Sequence, residues 1–169
     1  MRLRRLLPSV TIVCLAASVW AQDSIRGTTE VTIKGKKISI NYGRPSLKGR
    51  DLLSLAPVGM VWRLGMNQAT QIDTEADLMV GSTLVKAGKY TLWLKKTGEN
   101  SWTLAFHPKT GVWGVPELKE GYVAELPLKF AKAADSAEQV TITLSDSKGS
   151  AMVKIQWGTL LLSGLIGVK

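Results

Sequence analysis

In segment after segment the chain places apolar side chains at every second position, and that period belongs to strands that bury one face. Ile38, Ile40 and Tyr42 alternate with Ser39 and Asn41, and Val31 and Ile33 alternate with Thr32. The turn signal Lys34-Gly35-Lys36 between them predicts a hairpin. Leu78 and Val80 run into Gly81-Ser82 and then Leu84, where glycine at the first turn position suits a type II′ turn because it reaches positive φ cheaply. Tyr90, Leu92 and Leu94 alternate with Thr91, Trp93 and Lys95. Beyond the polar stretch Thr97 to Ser101, the residues Trp102, Leu104 and Phe106 alternate with Thr103, Ala105 and His107. Val140, Ile142 and Leu144 precede a turn at Asp146 to Gly149, and Val153, Ile155 and Trp157 return. No long stretch sustains a helical period. Short strands separated by turns predict an all-β fold, an antiparallel β-sandwich of jelly-roll-like or Ig-like type.

The first 21 residues follow a different grammar. Arg2, Arg4 and Arg5 form a basic start, Leu6 to Leu15 is a short apolar run, and Val19-Trp20-Ala21 is a small-residue cleavage pattern. This predicts a secretory signal peptide over 1–21 and one domain over 22–169. The apolar run is too short for a spanning helix, which needs ~20 residues. Arg4-Arg5 matches a twin-arginine signal only in part. Cleavage takes away Cys14, the only cysteine, and with three Arg and no acid it moves the formal charge from +9 to +6. The mature chain is then expected to be periplasmic or extracellular, without disulfides, a thiolate nucleophile or a Cys-based metal site. Its basic charge favours anionic partners, and nucleic acid is not expected.

Two segments break the strand rhythm. Arg44 to Asn67 carries Pro45, Gly49, Pro57, Gly59 and Gly65 and reads as an extended Arg-rich loop with a short helical or strand fragment near Leu52 to Leu55. Thr110 to Leu126 is interrupted by Gly111, Gly114, Pro116 and Gly121. The apolar tail from Gly158 to Lys169 is too short to cross a bilayer, and an edge strand is its expected fate.

The Arg-rich loop holds the candidate binding residues: Arg44, Ser46, Lys48, Arg50, Arg63 and Asn67, with Trp62 as an apolar wall. Guanidinium groups offer planar paired donors to carboxylate or phosphate, and Lys48 adds a point charge. The same residues could instead pair with Asp51 or with loop carbonyls and pin the loop to the sheet.

The segments R-P-S-x-K-G-R from Arg44, V-W-R-x-G-x-N-x-A-T from Val61, Ala87 to Leu92, Trp102-Thr103 and Trp113-Gly114 occur in this order. Together they resemble the bacterial exported family called domain of unknown function 2911, from about Ile40 to Trp157. The resemblance implies an exported β-sandwich-like domain with no established activity. Gln68 stands where the family pattern has an acid, the stretch after Gly114 lacks the family's Tyr and Asp run, and relatives carry Asn in place of His107.

Other chemistries find less support. His107 is the only imidazole, and a catalytic metal site needs about three protein ligands. Asp73, Glu75 and Asp77 would share one face of a strand at ~7 Å intervals, a spacing that suits glycosidase or calcium chemistry but more commonly marks a solvated face. Nucleophile-elbow, zinc-protease, P-loop and dinucleotide motifs are missing from the sequence. Trp102 and Trp157 fall on apolar faces and read as core. Trp62, Trp93 and Trp113 read as exposed aromatics able to stack on a sugar ring or to cap an open end of the sandwich. The expected function is non-catalytic binding of an anionic small molecule or glycan, with no cofactor and no metal. A hydrolase using Asp51, Asp73 or His107 is the alternative, and a structural or partner-binding envelope protein is a third reading.

Overall fold

The computed structural model describes residues 26–51 and 55–169. The signal-peptide expectation and most of the fragment expected near Leu52 to Leu55 lie outside them. Ten strands follow: β1 (Arg26–Ile33), β2 (Lys36–Gly43), β3 (Val61–Trp62), β4 (Thr70–Thr74), β5 (Leu78–Val80), β6 (Thr83–Val85), β7 (Gly88–Lys96), β8 (Trp102–His107), β9 (Ala124–Ser147) and β10 (Ser150–Val168). All pairings are antiparallel, in the spatial order β1-β2-β4-β7-β8-β9-β10-β5-β6, with β3 added on β7. The all-β antiparallel expectation holds, in the form of one continuous sheet.

Two-residue turns close the β1–β2, β5–β6 and β9–β10 hairpins. Lys34-Gly35 and Lys148-Gly149 have positive φ at both positions, and Gly81 has φ 60° at the head of the β5–β6 turn. The sheet remains continuous because β9 is 24 residues long and changes partner along its length. Its start pairs with β8, and from Lys129 onward it pairs with β10. The remote parts of the sheet then share one core. Ile38, Ile40, Ile72, Leu92 and Leu104 pack in the same cluster as Val140, Ile142, Val153 and Ile155. Thr29 Oγ1 on β1 accepts the Leu144 amide at 3.0 Å and ties the β1 edge to β9.

Two expectations change. The C-terminal segment is an interior strand, because β10 pairs with β9 on one side and through Gly167 and Val168 with β5 on the other. Its apolar residues made that placement favourable: Leu160, Leu162, Ile166 and Val168 are all buried. Trp93 is not an exposed aromatic but 0% exposed. It faces away from the main core into a second cluster with Ala69 and Ala105, roofed by Val61, Val112, Leu118 and Tyr122. The irregular stretch before β9 thus covers a face that the alternation assigned to solvent, and the Trp93 Nε1–H donates to Thr91 Oγ1 at 3.1 Å.

Candidate functional site

The Arg-rich loop is fastened to a deformed part of the sheet. Between β9 and β10 the register slips around Gly158, so that Gly158 faces Ala137 while Leu160 faces Lys132. The slack is taken up on the β9 side, a β-bulge that leaves backbone groups near Glu138 free to pair elsewhere. The loop uses them. The Leu47 amide donates to Glu138 O at 2.6 Å, the Lys48 amide to Glu138 Oε1 at 3.0 Å and the Val140 amide to Pro45 O at 3.3 Å. Ser46 forms an isolated bridge with Gln139. A Cβ at Gly158 would stand 3.3 Å from Leu47 Cδ2, so this glycine leaves room for the loop's apolar anchor.

Arg44, Pro45, Ser46, Lys48, Arg50, Met66 and Gln139 line one open cavity of about 570 Å³. Arg44 Nε donates to Val140 O at 3.3 Å. Arg50 is held by two loop carbonyls, Nε to Leu47 O at 2.9 Å and Nη2 to Ser46 O at 2.7 Å. Among the described residues no carboxylate forms an ion pair with Arg44, Lys48 or Arg50. A group with paired anionic oxygens would meet guanidinium, ammonium, hydroxyl and amide donors there.

The other three sequence candidates sit elsewhere. Trp62 stacks on Trp157 with ring centroids 5.2 Å apart and planes at 17°, and its Nε1–H donates to Gly65 O at 3.2 Å. Arg63 is outside the cavity. Its stem packs over Gly114, where any added Cβ would overlap Arg63 Cδ, and its Nε is buried with no hydrogen-bond partner among the described residues. Asn67, with φ 60°, accepts the Gly114 amide through its backbone carbonyl at 3.0 Å. Arg63 and Asn67 therefore join the Trp113 segment to the sheet, and Trp113 itself is 57% exposed.

Two smaller cavities adjoin the cationic one through Arg50. The first, about 170 Å³, is lined by Arg50, Leu55, Ala56, Met60, Trp62, Leu94, Trp102, Trp157 and Leu160. The second, about 200 Å³, is formed by Leu47, Arg50, Asp51, Ser136, Trp157, Gly158, Thr159 and Leu160. The Arg50 guanidinium carbon lies 5.3 Å from the centroid of the Trp157 ring, within cation–π range. Trp102 Nε1 and Trp157 Nε1 are enclosed by protein and have no partner among the described residues.

Sequence reasoning missed Gln139, Trp157 and Leu160 as neighbours of the loop. The usable signal was Gly158, a glycine inside an apolar strand pattern, which marks a bulge or a close approach.

The three acids expected on one strand face, and His107, are each engaged separately. Asp73 pairs with Lys89 at 3.1 Å, Glu75 Oε2 accepts the Lys37 amide at 2.8 Å, and Asp77 takes both Lys86 Nζ and the Ala87 amide at 2.9 Å. The expected common strand face is interrupted, since β4 ends at Thr74 and the chain then changes partner from β7 to β10. Those contacts with Lys86 and Ala87 hold the Asp77 carboxyl below its ordinary range. His107 lies edge-on to Tyr122, with centroids 5.8 Å apart, and its Nδ1 accepts the Lys109 amide at 3.0 Å. Burial lowers the His107 pKa, against a backbone hydrogen bond at Glu120 that raises it. Burial also pushes the Tyr122 hydroxyl up to about 12, and that hydroxyl donates to Leu118 O. Among the described residues no group of three His, Cys, Asp or Glu side chains could hold a metal ion.

No curated protein and no solved structure matches the chain. A family model does, over residues 24–164, a span that takes in the loop, the bulge and almost all of the sheet. The chain belongs to the family described as "Protein of unknown function (DUF2911)".

Proposed function

We propose that this protein is an exported, non-catalytic binding protein for a small anionic ligand, a carboxylate, a phosphate or an acidic glycan. The observation that supports this best is the cavity lined by Arg44, Ser46, Lys48 and Arg50, with no carboxylate among the described residues of its wall. Arg44 and Arg50 use part of their donors on the Val140, Leu47 and Ser46 carbonyls, which positions them without neutralising their charge. The loop is fastened by backbone groups of Glu138 and Val140 and by the Glu138 carboxylate, which accepts the Lys48 amide, and no ion pair among the described residues neutralises Arg44, Lys48 or Arg50. Export is supported by the basic and apolar N-terminal pattern that ends at Ala21.

Thermal-shift and calorimetric titration with inorganic phosphate and galacturonate tests the binding. A ligand at a hundredfold its Kd stabilises by about 2.7 kcal/mol. The shift should vanish in an Arg44→Ala/Lys48→Ala double variant and survive Arg63→Ala. A shift lost equally in Arg63→Ala would move the site away from this cavity, and no shift with any anion would remove the binding reading. Recovery from the producing cell's envelope of a chain beginning at Gln22 would support export, whereas an intact Met1 on cytosolic protein would end that part of the proposal.

A further inference from the structure

Arg50 belongs to the wall of the cationic cavity and equally to the wall of the Trp-lined cavity beside it. Its position is fixed from behind by the Leu47 and Ser46 carbonyls, and its guanidinium lies near the Trp157 ring. The Trp-lined cavity has about 170 Å³ of space, and apart from Arg50 the described residues of its wall are apolar: Leu55, Ala56, Met60, Leu94, Leu160 and three indoles. An engineered apolar cavity of ~150 Å³ holds one benzene molecule, so the size suits a single ring. Building on the anion-binding reading, we propose that the ligand is an aryl anion, an aromatic ring carrying a phosphate or carboxylate, which straddles Arg50. The ring enters the Trp62, Trp102 and Trp157 cavity. The charged group faces Arg44, Lys48 and Arg50.

The same geometry discriminates against a sugar acid. A uronate ring carries several hydroxyls, and in an apolar wall each hydroxyl that loses water without finding a partner opposes binding. An aryl ring has no such groups, and the indoles and aliphatic side chains of the wall offer it apolar contact. Arg50 supplies a planar cation that serves the anionic group through its N–H donors and the aromatic cavity through its flat face.

The test is calorimetry at one low ionic strength with phenyl phosphate, inorganic phosphate, phenol and glucuronate, read together with tryptophan fluorescence. Phenyl phosphate is expected to bind on the order of ten- to a hundredfold tighter than inorganic phosphate, the gain from burying one ring, and to change the tryptophan emission. Ala56→Leu, which adds volume to the cavity wall, should bring phenyl phosphate back to the affinity of inorganic phosphate and leave inorganic phosphate unchanged. Equal affinity for the two phosphates in the unsubstituted protein would overturn the aryl proposal while leaving the anion site standing. Failure of both to bind would remove the site itself. Glucuronate binding tighter than phenyl phosphate would overturn the ring assignment in favour of a sugar, and an aryl advantage undiminished in Ala56→Leu would place the ring elsewhere. Should Ala56→Leu not fold, the comparison of the four ligands on the unsubstituted protein decides alone.

Discussion

Gly43 shows how narrow the tolerance is beside the loop. Its backbone is ordinary, but a Cβ there would come within 2.6 Å of Met66 N and closer still to the Met66 carbonyl oxygen. The obstacle is main chain, which cannot swing aside as a long side chain does. Gly43→Ala is therefore expected to cost about 3 kcal/mol, measurable as a lowered urea midpoint. His107 gives a second residue-scale test, because it is the only histidine in the chain. Its folded pKa lies below the ordinary value, chiefly through burial, so below about pH 6.5 the unfolded chain takes up a proton more readily than the folded one. The contribution is complete above the unfolded pKa and is lost as pH falls through the folded one. Stability measured by denaturant titration should fall over that window, and His107→Gln should flatten that part of the profile. At this scale the sequence marked Arg44, Ser46, Lys48 and Arg50 as neighbours because they lie within seven residues of one another on a single loop. It could not separate Arg63 from them, since residue type says nothing about which side of a loop a side chain leaves.

Among the elements, β10 carries the largest consequence. Its last residues hold β5 in the sheet through Gly167 and Val168, and Ile166 and Val168 are both buried. Removing residues 166–169 is expected to destabilise the protein by at least 3 kcal/mol, checked by thermal melting, and to raise amide exchange first in β5 and β6. The hairpins were readable in advance because period-two alternation and turn chemistry are local. The partner-switching of β9 was not, because alternation tells which side chains face inward but not which strand lies alongside. The same limit made the tail look like an edge strand. It also assigned Trp93 to solvent, because a loop that folds back over a sheet leaves no trace in the strand that it covers.

For the molecule as a whole, charge and topology set two further expectations. After removal of the signal the formal charge is +6, and Arg44, Lys48 and Arg50 gather part of it around one cavity. Anion binding should weaken as salt rises, because screening shortens the reach of exposed charges to ~10 Å at 0.1 M. A titration of phosphate affinity between low and physiological ionic strength checks this, and a flat response would argue for contacts made by hydrogen bonding alone. Refolding should be slow, in the millisecond-to-second range typical of sheets built from distant pairings, since β1 closes on β9 and β5 on β10. Stopped-flow tryptophan fluorescence would read it.

The placement of β10 between β9 and β5 also orders events in time. Leu78 and Met79 leave the ribosome about 90 residues before the Val168 and Gly167 they pair with. At roughly 5 to 20 residues per second, the β5–β6 hairpin waits several seconds with its neighbour unmade. During that interval one flank of the hairpin is an open template, and whatever accompanies the nascent chain must shield it until the closing strand arrives.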